Sequence, residues 1–232
     1  MRAYERFLNY VPVWTTSDET SDTVPSADRG MVLARMLVEE MKGLGIADAR
    51  VDDKGYVYGH IPATPGCEDK PSLGLVAHMD TVADASGENI KPQIIENYDG
   101  KDVVLKGSGD ILKVDEFPYL AELKGRTLIT TDGTTLLGAD DKAGIERFLP
   151  WQKRSSKKDF RMERSASDLH RMKRLQEEQS ILMWKVLVLT MLTLLDGDEE
   201  GEIQFENFNA STAFYHHSRC QRTYGISKRR DG

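Results

Sequence analysis

Two residues of a short motif have the types and spacing that bind a metal ion. In Ala-His-Met-Asp-Thr at 77–81, His78 and Asp80 follow an apolar run at 73–77. Side chains two apart on an extended strand point the same way. An imidazole nitrogen can ligate zinc, and a carboxylate behind it fixes the tautomer and raises the basicity of the ligand. The pattern indicates a metal ligand with its orienting carboxylate, and a structural or surface pair is the alternative.

A second motif, Gly-Ala-Asp-Asp-Lys-Ala-Gly at 138–144, also follows apolar residues, at 134–137, which we predict to end a strand. A carboxylate at this place, such as that of Asp140, can bridge two metal ions, which lie about 3.5–4 Å apart in two-metal hydrolases. The alternative is that Asp140 and Asp141 cap the helix that follows.

A third aspartate, Asp196, ends the apolar run at 181–195 and is followed by glutamates at 199, 200 and 202. An acidic cluster of this kind is also typical of a solvated turn. The only cysteines, Cys67 and Cys220, are too few for a disulfide scaffold or a thiolate zinc site. Any metal site must therefore use histidine and carboxylate ligands.

The elements that would position these residues follow from periodicity. We predict a helix at 4–10 and a second helix that Ser26 caps and Gly43 ends, with apolar residues at helical spacing between them. Extended segments are predicted near 49–53, 55–62, 73–78 and 127–131, and a long surface excursion at 83–125. Helices alternating with strands that end in charged tips predict an α/β layer fold.

Composition excludes several classes of function. The 232-residue chain is 30% charged with a net charge of -7, whereas proteins that bind phosphate backbones need an excess of lysine and arginine. The run at 181–195 is shorter than the roughly 20 residues that span a bilayer and contains Lys185. The N-terminus lacks a secretion-signal pattern. We expect a cytoplasmic protein that binds neither nucleic acid nor membrane.

Together these motifs resemble the peptidase T family. The stretches that carry the resemblance include Ala-Tyr-Glu-Arg-Phe-Leu-Asn-Tyr-Val at 3–11, Thr-Ser-Asp-Glu at 16–19, His-Met-Asp-Thr at 78–81, Leu-Gly-Ala-Asp-Asp-Lys-Ala-Gly-Ile at 137–145 and Gln-Phe-Glu-Asn-Phe-Asn at 204–209. The match runs from residue 1 to 145 and returns from about 195 to 210.

The resemblance implies a zinc-aminopeptidase-like α/β domain with a central mixed sheet flanked by helices. It further implies an enzyme that uses two zinc ions to remove the N-terminal residue from tripeptides. By family role, His78 would ligate one zinc, Asp140 would bridge both, and Asp196 would ligate. Asp80 would have the family's catalytic role of orienting His78 and tuning the site.

The family mechanism also needs two consecutive glutamates, a general base and a metal ligand, in a Thr-Pro-Asp-Glu-Glu-Val motif between Asp140 and Asp196. That motif is absent from residues 146–194, which are divergent and in part basic. Back-translating His-Arg-Met-Lys-Arg-Leu at 170–175 as CAC CGG ATG AAG AGG TTG, with a preceding A, and regrouping from that A gives ACA CCG GAT GAA GAG GTT. These codons encode the missing motif. We therefore interpret 146–194 as translated out of frame, with a second slip after Ser211.

This interpretation sets the expected organisation and activity. Residues 1–210 would form the catalytic metallopeptidase domain, with 146–194 divergent, and 211–232 a divergent tail. The lid and dimerisation domain would be truncated and the fold incomplete at the C-terminus, so the family's homodimer is not carried over. We expect impaired hydrolysis of short peptides and a marginal or aggregation-prone fold. The alternative is a non-catalytic protein that binds a partner or a membrane surface through 146–195.

Overall fold

The computed structural model describes residues 2–18, 20–70, 73–155, 165–170, 191–194, 210–217 and 220–227. They belong to two units, Met1–Asp196 and Gly197–Gly232. Three α-helices are described in the first unit: α1 (Ala3–Tyr10), α2 (Met31–Gly43) and α3 (Ala139–Ser155). Short 3₁₀ turns lie at Asp28–Gly30 and Pro118–Leu123. None of the helices in these ranges is long and apolar enough to cross a membrane.

The strands of the first unit, in chain order, are β1 (Arg50–Val51), β2 (Val57–Ile61), β3 (Leu73–His78), β4 (Gln93–Ile95), β5 (Val103–Val104), β6 (Ile111–Leu112), β7 (Leu128–Thr130), β8 (Ser165–His170) and β9 (Met191–Leu194). Five of them form one sheet in the order β1-β2-β8-β3-β9. The pairs β1-β2 and β2-β8 are antiparallel, whereas β8 and β9 both run parallel to β3. The predicted α/β fold with a central mixed sheet is confirmed.

The second unit contains, among its described residues, an antiparallel hairpin of β10 (Ala210–His217) and β11 (Cys220–Ser227).

Helix α2 covers one face of the sheet with its apolar stripe. Leu33, Leu37 and Met41 are fully buried, at the three- and four-residue spacing of one helix face. They join strand residues in the main core, which consists of Tyr10, Leu33, Ala34, Leu37, Val38, Met41, Ile46, Ala49, Val57, Ala77, Met79 and Ile145. The buried end of β3 is thereby fixed against the helix layer.

The predicted start of α2 is wrong, whereas the helix does end at Gly43. A 3₁₀ turn precedes the helix, so its N-cap is Gly30, and the Ser26 hydroxyl instead accepts a hydrogen bond from the Asp18 N–H at 3.2 Å. At the other end the left-handed residue is Gly45, with φ of 98°, rather than Gly43. That conformation is nearly free of strain only for glycine.

The excursion at 83–125 has more structure than the sequence predicted. Strand β4 pairs with β7 and β5 pairs with β6, both antiparallel. A small core of Tyr98, Val103, Leu105 and Leu120 lies beneath these hairpins. The short strands were missed because each has only two or three residues and lies between polar stretches that contain glycine.

The divergent segment nevertheless supplies two strands of the central sheet. Strands β8 and β9 both pair with β3, so part of the segment joins the sheet although its sequence diverges. Central strands that run parallel to a neighbour are usually continuous apolar runs, and the sequence of β9, Met-Leu-Thr-Leu, fits this rule. The sequence of β8, Ser-Ala-Ser-Asp-Leu-His, does not. Its register places Asp168 opposite Tyr58 on one side and Val76 on the other.

A cluster of buried polar groups joins α1, α2 and α3. Arg6 is paired with Glu40 at 2.5 Å, and the Tyr10 hydroxyl donates to the other oxygen of Glu40 at 2.6 Å. Glu146 of α3 is also buried, and its Oε2 has no hydrogen-bond partner among the described residues. Burial raises the pKa of Glu146, although the charges of Arg147 and Arg6 offset part of this effect. A buried oxygen without a partner costs stability.

We predict that Glu146→Ala stabilises the fold by about 1–3 kcal/mol, because it removes this desolvated carboxylate. Urea unfolding followed by circular dichroism would measure the difference. The control is Glu39→Ala, since Glu39 lies 76% exposed on α2 and its removal should change the free energy of unfolding by less than about 0.5 kcal/mol. A Glu146→Ala protein less stable than the parent would contradict the prediction.

A second buried charge lies at the start of α3. Lys142 is fully buried, and its Nζ donates to the main-chain oxygen of Val13 at 2.9 Å. This bond ties α3 to the segment that follows α1. Burial lowers the pKa of Lys142 to about 8. The folded chain thus releases this proton at a lower pH than the unfolded chain does.

We predict that the free energy of unfolding rises as the pH increases from about 9 to 10, because between about pH 8 and 9 the raised pKa of His78, about 9, offsets the contribution of Lys142. Over this window the unfolded chain keeps a proton on Lys142 that the folded chain has lost, with the pKa lowered from 10.5 to about 8. Above about pH 10 the trend reverses, because burial raises the pKa of Tyr10 above its ordinary value of 10.0. Urea titrations at several pH values should show a flatter profile for Lys142→Met. Lys101→Met, at an 81% exposed side chain, should keep the parent profile.

Candidate functional site

His78 lies at the carboxyl end of β3, where its side chain is 8% exposed. Its Nε2 is 2.6 Å from Oδ1 of Asp140. Its Nδ1 is 2.9 Å from the main-chain oxygen of Asp80 and 3.2 Å from the Oδ1 of the same residue. The imidazole is therefore held between two aspartates, one at each ring nitrogen. The structure places His78 and Asp80 side by side, and their roles stay a prediction.

Asp80 is as buried as the histidine it faces. Its side chain is 8% exposed, and its Oδ2 accepts a hydrogen bond from the Ser17 hydroxyl at 2.7 Å. The carboxylate beside Nδ1 favours a proton on that nitrogen, while Nε2, which lies 2.6 Å from the Asp140 carboxylate, carries a second proton that a metal ion would replace. This is the arrangement that a metal-ligating histidine needs.

The two aspartates of the second motif, Asp140 and Asp141, make different contacts. Asp141 caps α3, since its Oδ1 accepts a hydrogen bond from the Gly144 N–H at 3.0 Å. Asp140 has non-helical backbone angles, faces His78, and is 61% exposed. The residues at 134–137 form a loop rather than the predicted strand end. Gly138, with φ of 74°, turns that loop into the helix.

The positions of these groups are fixed by main-chain hydrogen bonds between distant segments. Thr16 forms a parallel bridge with Thr81: the Ser17 N–H donates to the Thr81 oxygen at 3.1 Å, and the Thr81 N–H donates to the Thr15 oxygen at 3.3 Å. The segment after α1 thus lies beside the residues that follow β3.

A cavity of about 380 Å³ opens beside the histidine and the aspartates. The polar residues that line it, called its polar end below, are Ser17, Asp18, Ser21, Ser26, His78, Asp80, Thr81 and Asp140. The apolar residues that line it, called its apolar wall, are Val82, Ala83, Leu136, Leu137 and Ala139. A small organic molecule can therefore approach the ring nitrogen that faces Asp140 while its carbon atoms contact the apolar wall.

The electrostatics of the site favour a positive charge on or near His78. Burial lowers the pKa of its imidazole, but the hydrogen bond and charge of Asp80, with the charges of Asp140 and Asp141, outweigh burial and raise the pKa to about 9. The same negative charges would attract a metal cation. A proton and a metal ion compete for such a nitrogen.

His78 and Asp140 fit a zinc ion in donor type and orientation, since zinc takes imidazole nitrogens and carboxylate oxygens. They supply only two donors. The ranges that the structure describes contain no group of three or more histidine, cysteine, aspartate or glutamate side chains placed to hold a metal. Asp196 lies outside the described residues. The strand before it, β9, runs parallel to β3, so its carboxyl end is on the same side of the sheet as His78.

Sequence reasoning assigned no role to Ser17, whose hydroxyl contacts Asp80. The only indication was its place in the Thr-Ser-Asp-Glu stretch at 16–19, which matches a family without revealing a contact to a residue 63 positions away.

Comparison with known proteins finds sequence relatives named peptidase T. The chain is 42% identical over 211 residues to peptidase T of Clostridium acetobutylicum, an alignment that covers 90% of this chain and 52% of that protein. It is 51% identical over 146 residues to peptidase T of Bacillus subtilis, covering 62% of this chain and 35% of that protein. The chain thus spans about half the length of the curated relatives it matches. No protein-family model matches it.

Among solved structures, peptidases have a fold similar to that of this chain. The chain is similar to aminopeptidase PepT of Bacillus cereus, with a TM-score of 0.54 at 21% identity over 85% of this chain and 43% of that one. It is also similar to a tripeptidase of Staphylococcus aureus, with a TM-score of 0.55 at 20% identity over 85% and 43% of the two chains. The chain is therefore peptidase T-like in sequence, and its described residues have the fold of these aminopeptidases.

Proposed function

We propose that this chain derives from a tripeptide aminopeptidase with two zinc ions, and that its hydrolysis of short peptides is impaired. The observation that carries the proposal is the contact between His78 Nε2 and Asp140 Oδ1 at 2.6 Å, with Asp80 at the other ring nitrogen. It lies at the end of a central strand, where open α/β sheets place their ligand-binding groups. The similarity to peptidase T supplies the class of substrate.

The roles of the residues follow from this geometry and from the family. His78 would bind one zinc ion through Nε2, Asp140 would bridge both ions, and Asp196 would add a further ligand. Zinc supplies Lewis-acid polarisation of a peptide carbonyl and activates a water molecule for attack. Asp80 keeps the proton of the imidazole on Nδ1, so that Nε2 remains a donor of electrons.

The cavity supports a peptide as the substrate. Its polar end contains the candidate ligands, and its apolar wall contains Leu136 and Leu137. A scissile amide at the polar end would leave a neighbouring aliphatic side chain in contact with the wall. Burying that side chain also displaces water from the reacting bond.

Impairment follows from the absence of the Thr-Pro-Asp-Glu-Glu-Val motif. Between Asp140 and Asp196 the sequence has one pair of consecutive glutamates, Glu177 and Glu178, in the unrelated context Leu-Gln-Glu-Glu-Gln-Ser. Loss of a positioned general base lowers a catalytic rate about 10²–10⁴-fold. The described residues thus include the candidate ligands His78 and Asp140, whereas the sequence lacks the motif that contains the general base.

Two features of the structure support an out-of-frame origin of 146–194. Glu146, the first residue of the segment, places a carboxylate in the buried interior, and its Oε2 has no partner among the described residues. Strand β8, which lies between β2 and β3 in the sheet, has the sequence Ser-Ala-Ser-Asp-Leu-His. Such a polar sequence conflicts with a place between two other strands.

The organisation we propose remains a catalytic domain at 1–210 and a divergent tail at 211–232. Cys67 is buried and unpaired by a disulfide, which supports the proposed location in the reducing cytoplasm. The alternative, a non-catalytic binding protein, depends on 146–195, most of which lies outside the described residues. No observation favours it.

We predict that His78→Ala and Asp140→Asn each weaken the binding of Zn²⁺ at least about 10-fold, because each removes one donor of the site. Titration against a chromophoric chelator would measure the affinity. Asp84→Asn is the matched control, since Asp84 is an exposed aspartate in the loop after β3 and does not line the cavity. Equal affinities in all four proteins would place the metal elsewhere.

We predict that a chain whose reading frame is restored by single-base insertions or deletions hydrolyses tripeptides, with added Zn²⁺, at least about 100-fold faster than this one. The nucleotide sequence across the codons for 145–196 comes first, because a shifted frame must encode Thr-Pro-Asp-Glu-Glu-Val there. The corrected chain with both glutamates of that motif changed to glutamine is the control for contaminating peptidases. A frame that encodes no such motif would contradict the proposed origin.

A further inference from the structure

We propose that Ser17 is a positioning residue of the metal site, acting on His78 through Asp80. This inference rests on the proposed function, because it assigns the hydroxyl a task in metal binding. The observation behind it is the hydrogen bond from the Ser17 hydroxyl to Oδ2 of Asp80 at 2.7 Å.

The contact is directional and close to the imidazole. A carboxylate only accepts hydrogen bonds, so the Ser17 hydroxyl is the donor. Its bond to Oδ2 leaves Oδ1 of the same carboxylate 3.2 Å from Nδ1 of His78. A chain of contacts therefore runs from Ser17 through Asp80 and His78 to Asp140. Nδ1 of His78 is hydrogen-bonded to the main-chain oxygen of Asp80 at 2.9 Å, and a fixed carboxylate plane holds the negative charge of Oδ1 beside that bond.

The backbone that carries Ser17 is held on both sides. Its N–H donates to the main-chain oxygen of Thr81 at 3.1 Å, and Nε of Arg29 donates to the main-chain oxygen of Thr16 at 2.6 Å. Gly87 lies so close that a Cβ there would be 2.2 Å from Oγ1 of Thr16. The hydroxyl is thus presented to Asp80 by a fixed main chain, with rotation about one side-chain bond left to choose its direction.

A second feature separates this contact from an ordinary surface hydrogen bond. Asp80 is 6% exposed, while Ser17 is half-buried and lines the cavity. The hydroxyl therefore lies between a buried carboxylate and the space that a substrate would occupy. Without it, a mobile water molecule would have to satisfy Oδ2, and the carboxylate would be less firmly oriented. If water replaces the hydroxyl in this way, we expect the loss of metal affinity to lie at the lower end of the roughly 10–100-fold range known for residues that contact metal ligands.

The test uses the full chain with Ser17→Ala, Ser17→Thr and, as control, Ser108→Ala, which removes an exposed hydroxyl outside the cavity. The expected result is that Ser17→Ala binds Zn²⁺ about 10-fold more weakly, whereas Ser17→Thr and Ser108→Ala bind as the parent does. Melting temperatures of all four proteins show whether a change is confined to the site. Rescue by threonine distinguishes a lost hydroxyl from a general loss of packing.

A second readout needs no metal. In the metal-free protein the hydrogen-bonded Nδ1–H of His78 should give a low-field proton resonance, identified by its absence in His78→Gln. We expect this resonance to shift or broaden in Ser17→Ala and to persist in Ser17→Thr. An unchanged resonance and an unchanged Zn²⁺ affinity in Ser17→Ala would overturn the proposal, as would equal losses in the alanine and threonine variants. If the parent binds no Zn²⁺, the proposed function fails, and the resonance alone decides the role of Ser17.

Discussion

The imidazole of His78 is the point on which the arrangement of the site depends. Asp80 lies at one ring nitrogen and Asp140 at the other, and the two aspartates come from different parts of the chain. Both aspartates can contact the ring because the carboxyl end of β3 lies beside the start of α3. The buried core beneath β3 fixes that end, because Ala77 and Met79 are fully buried on either side of the histidine. The packing of the main core thereby sets the geometry of the candidate ligands.

Features that depend on local periodicity were predicted well. The bounds of β3 and the shared direction of His78 and Asp80 follow from side-chain alternation, which a short stretch of sequence contains in full. The start of α2 and the residues before Asp140 were predicted wrongly for a different reason. Ser26 has the chemistry of an N-cap, but whether it caps depends on the 3₁₀ turn that intervenes. A tertiary context overrides a local preference in such cases.

Contacts between distant segments could not be predicted from the sequence. Ser17 and Asp80 are separated by 63 positions, and no periodicity relates them. The same holds for the bond from Lys142 to Val13, which spans 129 positions and buries a charge that the sequence alone would place at the surface. The resemblance to a family indicated that these stretches belong together, but it did not say which atoms meet. Only the folded structure shows which of these distant residues are in contact.

The divergent segment shows where local sequence and fold stop agreeing. Ile145 is fully buried and belongs to the main core, whereas the next residue, Glu146, places a carboxylate in the interior. A segment adapted to bind a partner would be expected to keep apolar residues at core positions and to change those at the surface. Glu146 shows the opposite, with a carboxylate at a position that the fold encloses. A changed reading frame is indifferent to burial, and it therefore accounts for this pattern better than adaptation does.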